Sequence, residues 1–194
     1  LNIKKNHKTS LHCHPQKKTG FILLDGKVQV ELGFYDKVIL KAPSKLMIRP
    51  GLFHSTKALS KNNATVLEIE TPINKNDLVR FKDNYGRENK PYEKKDKMKK
   101  KQSNDISFQV PKKFGIKKYK FKNLKITVEK HKNTKKLVNR SQNTIFAILD
   151  GGLTDKKRRY VLSPGDIVRT DTITKLARVF NVLNKITVLT ISKK

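Results

Sequence analysis

The sequence has few acidic residues, one cysteine and no tryptophan among its 194 residues. The single cysteine, Cys13, excludes an internal disulfide framework. There is no apolar run of about 18 residues and no signal-peptide pattern, so we predict a cytoplasmic protein with no membrane partner. The chain begins at Leu1 instead of Met, and we expect that a few residues have been trimmed, together with any sorting signal they carried.

The scarcity of acid leaves 16 acidic against 45 basic residues and a formal net charge of +29. Such a charge ordinarily indicates nucleic acid as a partner. Lysine greatly outnumbers arginine, however, whereas surfaces that bind nucleic acids favour the planar fork of arginine. The sequence also lacks a zinc-finger spacing and a basic helix. We therefore predict no nucleic-acid partner and expect the positive field to attract small anionic ligands.

Short apolar or alternating runs separated by turn residues dominate the chain and predict an all-β fold. In the first half they lie at 21–24, 28–32, 37–40, 46–48 and 65–69. Segment 86–105 is mostly charged and polar and cannot bury enough apolar surface to offset its ordering entropy. We predict a Lys-rich linker there, between one domain at 1–85 and a second at 106–194.

The second half repeats part of the first. The sequence TGFILLDG at 19–26 aligns with TIFAILDG at 144–151, and Ile48-Arg49 aligns with Val168-Arg169. Two copies of one β unit are therefore predicted. The Asp-Gly pair also has a purely structural interpretation, because it supplies the positive φ angles of a tight hairpin turn.

Three histidines in the first half form the strongest functional pattern. His12 and His14 are separated by one residue in an extended segment, so both rings project from one face about 7 Å apart along the backbone. His54 follows a Pro-Gly turn that could return it to the same place. Three imidazoles suit a divalent transition metal such as Zn, Fe, Mn or Ni and leave positions open for water or substrate. Three solvated surface histidines are the alternative that this pattern leaves open.

The spacing resembles the first motif of the cupin family, which here reads His12, His14, Thr19 and Gly26. The sequence PGLFH at 50–54 is similar to the second cupin motif, which ends in a metal-binding histidine. The resemblance implies small antiparallel β-barrels or jelly rolls, and two-domain cupins agree with the internal repeat. We therefore expect two tandem barrels. Thr19 departs from the family pattern, because it stands where an acidic ligand is expected.

The second half lacks the histidine motif. By the alignment, Leu137, Asn139 and approximately Thr174 occupy the positions of the three histidines, and His131 lies outside the motif. We predict a degenerate C-terminal barrel with a structural or dimer-forming role. Cupins commonly pair through barrel edges, so the resemblance also implies a homodimer.

The segment after the first repeat resembles the end of the cupin domain in type II mannose-6-phosphate isomerases. The matching positions are Asp77, Arg80, Asp83, Tyr85, Gly86 and Arg87. The resemblance implies a small anionic sugar ligand, held by residues chosen from Arg49, Arg80, Tyr85 and Arg87, since a guanidinium binds phosphate through two parallel bonds. A tail that caps the barrel through an Asp–Arg pair is the structural alternative.

The resemblance favours a metal-dependent isomerase or epimerase of a phosphorylated or nucleotide-linked sugar, in cell-surface carbohydrate biosynthesis. Such a reaction needs a base and a Lewis acid. The carboxylates near the motifs are those of Asp25, Glu31, Glu68 and Glu70, and we take Glu68 and Glu70 as candidate catalytic groups because they alternate on one strand. Two alternatives stay open: a non-catalytic sugar-binding or regulatory cupin, and an Fe(II) dioxygenase.

Overall fold

The computed structural model describes residues 1–88 and 106–194. The chain divides into two compact units, Leu1–Lys101 and Gln102–Lys194. Most of the predicted linker 86–105 lies outside the described residues, so that linker and the domain limits built on it stay predictions. Neither of the helices in the described ranges has the length and apolar character needed to cross a membrane.

The first unit consists of two antiparallel sheets. Four strands form one sheet in the order β1-β8-β3-β6, and five form the other in the order β5-β4-β7-β2-β9. The predicted runs all lie within strands, which confirms that part of the prediction. The strands are β1 (Asn2–Ile3), β2 (Leu11–Cys13), β3 (Lys18–Asp25), β4 (Lys27–Leu32), β5 (Asp36–Lys41), β6 (Ser44–Ile48), β7 (His54–Ala58), β8 (Ala64–Thr71) and β9 (Val79–Lys82).

The core of this unit lies between the two sheets. The four-stranded sheet contributes Phe21, Leu23 and Val66, and the five-stranded sheet contributes Val28 and Val30. Residues two apart on a strand share a face, so the inward faces of these strands change from apolar to polar along their length. On β8 the inward face becomes polar after Val66. On β7 the polar end of the inward face is His54, the first residue of that strand. The unit is therefore apolar inside at one end and polar at the other, where the candidate site lies.

The second unit has one main sheet with the strand order β10-β11-β15-β12-β13, and β14 pairs with β12. Its core includes Leu137 and Ile173 from two short helices, together with apolar residues of the strands. It is mostly β, as predicted, but two tandem barrels are not shown. The elements are β10 (Gly115–Phe121), β11 (Leu124–His131), α1 (Lys135–Val138), β12 (Ile145–Thr154), β13 (Tyr160–Leu162), β14 (Ile167–Arg169), α2 (Thr170–Leu176) and β15 (Asn181–Lys193).

The repeated sequence forms a central strand in both units, but its Asp-Gly pair has two different roles. In the first unit Gly26, with φ of 88°, lies in the predicted tight turn between β3 and β4. In the second unit Gly151, with φ of 67°, lies inside β12, where the register with β15 shifts. The predicted hairpin turn is therefore wrong for the Asp-Gly pair at 150–151. A Cβ on Gly151 would lie 2.0 Å from the carbonyl oxygen of Lys185, so glycine lets two backbones approach closely at an irregular strand position.

Candidate metal centre

Pairing in the five-stranded sheet brings distant parts of the chain to one point. His12 of β2 pairs with His54 of β7 on one side and with Arg80 of β9 on the other. Directly paired residues on neighbouring strands point to the same face, so these three side chains lie together. His14 follows β2 immediately and contributes the third imidazole.

The three imidazoles converge in space. One ring nitrogen from each of His12, His14 and His54 lies within 4.8 Å of one from each of the others. The ring centroids of His12 and His54 are 4.4 Å apart, and those of His14 and His54 are 5.7 Å apart. His14 and His54 are buried and His12 is partly exposed. Such a set of nitrogen donors on a partly open surface has the layout of a metal centre with positions left for ligand.

Each of the three rings is fixed by a backbone carbonyl through Nδ1. His12 Nδ1 lies 2.8 Å from the carbonyl oxygen of Ser10, His14 Nδ1 lies 2.6 Å from that of Asp77, and His54 Nδ1 lies 3.0 Å from that of Leu52. A carbonyl only accepts, so Nδ1 must be the donor in all three. In the neutral ring the lone pair is therefore on Nε2, which is the atom left to bind a cation.

The electrostatics at His12 and His54 favour neutral rings. Burial, and next the proximity of His54, lower the pKa of His12 to about 3. Burial also lowers the pKa of His54, against the opposing effects of its bond to Leu52 and the nearby charge of Glu70. Both rings are thus unprotonated near neutral pH, which is the state in which imidazole binds a metal.

Asp77 holds the turn that carries His14. Its carbonyl accepts the Nδ1 proton of His14, and its carboxylate accepts backbone N–H bonds from Gln16 and from Lys17 at 2.9 Å. This buried aspartate comes from the loop before β9 and joins residues about 60 positions apart in the sequence. The matched Asp77 of the tail therefore has a supporting role in the centre, where it fixes the direction of an imidazole.

Glu70 of β8 reaches the cluster from the other sheet. Its Oε1 lies 3.3 Å from Nε2 of His14, and its Oε2 lies 2.5 Å from Nζ of Lys17, a side chain that is 1% exposed. Burial acts to raise the pKa of Glu70, but the contacts with His14 and Lys17 outweigh it and lower that pKa to about 2. Glu70 pairs directly with Thr19 of β3, so the two side chains share the inward face.

A pocket of about 310 Å³ adjoins the cluster at His12. It is lined by His12 of the cluster, by Glu68 of β8, and by Arg80 and Arg87 of the tail, with the N-terminal segment 1–4 on one side. Burial is the main cause that raises the pKa of Glu68, to about 7. The fold thus brings one predicted ligand, one predicted catalytic group and two predicted anion-binding arginines to a single cavity.

The other residues predicted for the site are placed differently. Arg49 is exposed in the turn after β6. Tyr85 stacks on His7 with ring centroids 6.3 Å apart and lines a second pocket. Arg87 donates Nε and one terminal nitrogen to the carboxylate of Asp83, which is the Asp–Arg pair considered as the structural alternative. The substrate-binding roles of Arg49 and Tyr85 stay predictions.

Two features of the site could not be predicted from the sequence. They are the burial of Lys17 and the pairing of Thr19 with Glu70. Lys17 is one lysine among many, and no local pattern marks it as buried. The pairing depends on the register between β3 and β8, which cannot be read from the sequence. A partial signal existed for Glu70, because its alternation with Glu68 on a strand indicates that both face one side.

The second unit places no comparable cluster at the aligned positions. Leu137 is a fully buried core residue of α1, Asn139 follows that helix, and Thr174 lies in α2. His131 bonds to Glu129 with Nε2 2.7 Å from Oε2. Within the described residues the only group of three such donors that meets the distance is the one in the first unit.

No protein-family profile matches the chain, and no curated protein matches it. Solved structures do resemble it. A protein with a double-stranded β-helix domain from Klebsiella pneumoniae has a TM-score of 0.40 at 16% identity over 42% of this chain and 66% of that one. The capsular polysaccharide assembling protein CapF from Staphylococcus aureus has a TM-score of 0.40 at 14% identity, over 42% and 27% of the two chains.

A third structure is the cupin domain of Cnp3 from Schizosaccharomyces pombe, with a TM-score of 0.33 at 15% identity over 34% of this chain and 46% of that one. This chain therefore spans less than two thirds of each of the three structures. At these scores the likeness does not assign a family.

Proposed function

We propose that the first unit is a metal-binding, cupin-like domain that acts on a phosphorylated or nucleotide-linked sugar as an isomerase or epimerase. One observation carries the proposal: three imidazoles, each fixed at Nδ1 by a carbonyl, converge beside a pocket that also holds arginine and glutamate. Surface histidines that merely face solvent have no reason to share both the orientation and the meeting point.

The donor set fits a borderline divalent transition metal. Neutral imidazoles suit Zn, Fe, Ni and related ions, and thiolate-seeking ions are disfavoured because Cys13 is not part of the cluster. The carbonyl bonds fix the ring orientation and raise ligand basicity, as they do in known metal centres. His12, His14 and His54 would hold the ion.

The pocket has the charge to hold a small anion. Arg80 lies opposite His12 in the sheet and lines the pocket, and Lys4 and Lys8 line it as well. We choose Arg80 as the phosphate ligand because it stands beside His12 in the sheet, whereas Arg87 donates two nitrogens to Asp83. A volume of about 310 Å³ is at the small end for ligand pockets and favours a single phosphorylated sugar over a nucleotide sugar.

Aldose–ketose conversion moves a proton between adjacent carbons. In this proposal Glu68 removes the proton from the hydroxyl-bearing carbon and returns it to the former carbonyl carbon, the hydroxyl proton passes to the former carbonyl oxygen, and Arg80 holds the phosphate in place. A bound metal ion would polarise the carbonyl and stabilise the negative charge that develops on oxygen.

The first experiment measures metal content and turnover together. The purified chain, loaded with Zn, Mn, Fe or Ni, should bind about one ion and interconvert mannose 6-phosphate and fructose 6-phosphate. Arg80→Ala should raise KM for the sugar phosphate while metal content stays the same. Absence of any bound ion would contradict the proposal. A bound ion without turnover of sugar phosphates or nucleotide sugars would contradict the enzymatic function and favour a sugar-binding domain. Sedimentation of the same samples tests the predicted homodimer.

A further inference from the structure

A second pocket lies on the outer face of the five-stranded sheet. The core side of β4 carries valines, so Gln29 and Glu31, which alternate with them, point outward. Directly paired residues point to the same face, so Lys57 of β7 stands beside Gln29. Lys37 of β5 stands beside Glu31 in the same way, and the four side chains line a cavity of about 560 Å³. We call this cavity the outer pocket.

Two distant segments, 6–8 and 84–85, form the walls of the outer pocket. Nδ1 of His7 lies 2.9 Å from a backbone carbonyl, so the ring is held by a hydrogen bond that it donates. The same ring stacks on Tyr85, and the backbone N–H of Tyr85 donates to the carboxylate of Asp83 at 3.1 Å. Both walls are thus fixed by contacts within the first unit, as in a pocket that is formed before its ligand arrives.

Every side chain found in the lining carries a polar group. Three ammonium groups can bind an acidic group, while amides and one carboxylate can bind hydroxyls, because a hydroxyl both donates and accepts. The ammonium groups belong to Lys8, Lys37 and Lys57, and the amides belong to Asn6, Gln29 and Asn84. This combination suits a ligand that carries several hydroxyls and an acidic group.

Glu31 provides a fixed acceptor in the outer pocket. Its Oε2 accepts a hydrogen bond from the hydroxyl of Ser55 at 2.6 Å, and Ser55 is buried. Within the described residues this is the side-chain contact that Glu31 makes, although Lys37 is its direct partner on β5. The ammonium of Lys37 is therefore left to bind an anion, and the second oxygen of Glu31 is left to bind a hydroxyl.

Lysine by itself does not mark this site. Lys27 and Lys41 are also directly paired on the same outer face, yet they lie outside the lining of the outer pocket. The outer pocket differs from that part of the face because amides, a carboxylate and two walls surround its lysines. Lys27 and Lys41 therefore supply a matched control.

The outer pocket is distinct from the cavity beside the histidine cluster. His54 and Lys57 are three positions apart on β7 and therefore point to opposite faces of the sheet. His7 and Lys8 line both cavities. Lys37 and Lys57 line only the outer one of the two, so they can test it separately.

We propose that the outer pocket is a binding site for an anionic sugar, a monosaccharide or disaccharide that carries a phosphate or a carboxylate. Lys37 and Lys57 bind the acidic group, and Glu31 with the neighbouring amides binds hydroxyls. A volume of about 560 Å³ leaves room for a second sugar ring. The site needs neither a metal ion nor turnover, so it goes beyond the proposed function and can hold if that function fails.

The first experiment titrates glucose 6-phosphate, glucuronic acid, glucose and inorganic phosphate into the metal-free chain at constant ionic strength. NMR signals of the Tyr85 ring report binding. At least one of the two sugar acids should bind at least about 10-fold more tightly than glucose and inorganic phosphate, because only a sugar acid offers both kinds of contact. The sugar acid that binds identifies the charged group of the ligand.

Removal of lysines gives the second measurement. Lys37→Gln with Lys57→Gln should lower affinity for that sugar acid at least about 10-fold, because both ammonium groups contact its acidic group. Lys27→Gln with Lys41→Gln removes the same charge from the same face and should change affinity less than about twofold. All four side chains are exposed, so neither double change should disturb the fold.

Glu31→Gln separates sugar recognition from simple attraction of charge. A site that only attracts anions would bind them more tightly after the loss of a carboxylate. The proposed site should instead lose at least about threefold of its preference for the sugar acid over inorganic phosphate, because hydrogen bonds to an ionised oxygen are the stronger ones. An unchanged preference would contradict the role of Glu31.

Other results would overturn the whole inference. Failure of both sugar acids to bind, inorganic phosphate binding as tightly as they do, or equal losses in the two double variants would each do so. Arg80→Ala should leave the Tyr85 response within about twofold, because Arg80 lines the cavity beside the histidines and not the outer pocket. Loss of the response in Arg80→Ala would place the sugar in that cavity instead. An intact response without bound metal or turnover would contradict only the proposed function.

Discussion

Each unit places a glutamate inside its β-structure, but the two carboxylates have different surroundings. In the second unit the fully buried Glu129 accepts bonds from Thr127, from His131 and from Arg140, whose terminal nitrogen lies 2.9 and 3.1 Å from the two oxygens. Burial alone would raise the pKa of Glu129, but these bonds outweigh it and leave that pKa below its usual value. This carboxylate is completely paired, as expected of a structural group.

Glu70 of the first unit contacts the ammonium of Lys17 with one oxygen. The other oxygen faces an imidazole nitrogen in a cluster of three. The two carboxylates therefore differ in their neighbours. Glu129 is held by three side chains of its own unit, whereas Glu70 lies between a buried lysine and one of the imidazoles proposed to bind a metal ion.

The largest expected effect concerns Glu129. Glu129→Gln leaves Arg140 without its anion and should lower the free energy of unfolding of the second unit by about 3–5 kcal/mol, because an uncompensated charge remains partly buried. Chemical unfolding of the variant measures the loss. The double variant Glu129→Gln, Arg140→Gln should recover at least about 1 kcal/mol. A cost below about 1 kcal/mol for the single change would mean that the network is not structural.

The two aligned glycines should respond unequally to alanine. Gly151→Ala brings a Cβ to 2.0 Å from a backbone oxygen and should cost about 3 kcal/mol or more in free energy of unfolding. Gly26→Ala meets the hydroxyl of Ser60 at 2.7 Å, a side chain that can rotate, and should cost about 1–2 kcal/mol. Thermal unfolding of both variants measures the difference. Equal losses would show that the two positions have the same environment after all.

The histidines of the two units should differ in metal binding. His54→Ala removes a ligand and should weaken metal affinity about 100-fold, which corresponds to about 2.7 kcal/mol. His131→Ala in the second unit is the control and should leave affinity unchanged, because His131 bonds to Glu129 and belongs to no cluster of three among the described residues. Competition against a chelator of known affinity provides the measurement. A similar loss in both variants would indicate non-specific binding by surface histidines.

The smallest expected effect is the acid dependence of the tail of the first unit. Hydrogen bonding from Arg87, the main cause, lowers the pKa of Asp83 to about 2 from an unfolded value of 3.8. The stabilisation is therefore present above about pH 4 and is lost as the pH falls toward 2. Because Arg87 is partly exposed, we expect no more than about 1 kcal/mol.

The measurement for Asp83 is the difference in unfolding free energy between the unaltered chain and Asp83→Asn, followed from pH 5 downward. That difference should shrink as the carboxylate is protonated. An NMR titration of the side-chain carboxyl carbon gives the pKa directly. A midpoint near 4 would mean that the Asp83–Arg87 pair contributes nothing, and the tail would then be held by other contacts.

Much of the first unit could be predicted from the chain itself. Turn residues between alternating apolar runs gave the positions of β3, β4, β5, β6 and β8, because strand periodicity is a local property. The second unit was less predictable. Its helices α1 and α2 are only four and seven residues long, too short for a helical period to stand out from strand patterns.

Part of the candidate metal centre could also be predicted from local sequence. One intervening residue is enough to place His12 and His14 on the same side of an extended segment, and a Pro-Gly turn precedes His54. The roles of Asp77, Lys17 and Glu70 could not be inferred in this way. Their contacts join positions 53 to 63 residues apart, and nothing in a local pattern reports such a separation.

The sequence by itself determined the mostly β character of the chain, the histidine spacing and the absence of that spacing in the second half. Tertiary structure alone decided that Glu70 would stand opposite Thr19, that Lys17 would be buried against Glu70, and that Glu70 would contact His14. The physical reason is that alternation along a strand is set by backbone geometry within a few residues. The meeting of two sheets is set by register, and a shift of one residue would turn Glu70 to the opposite face.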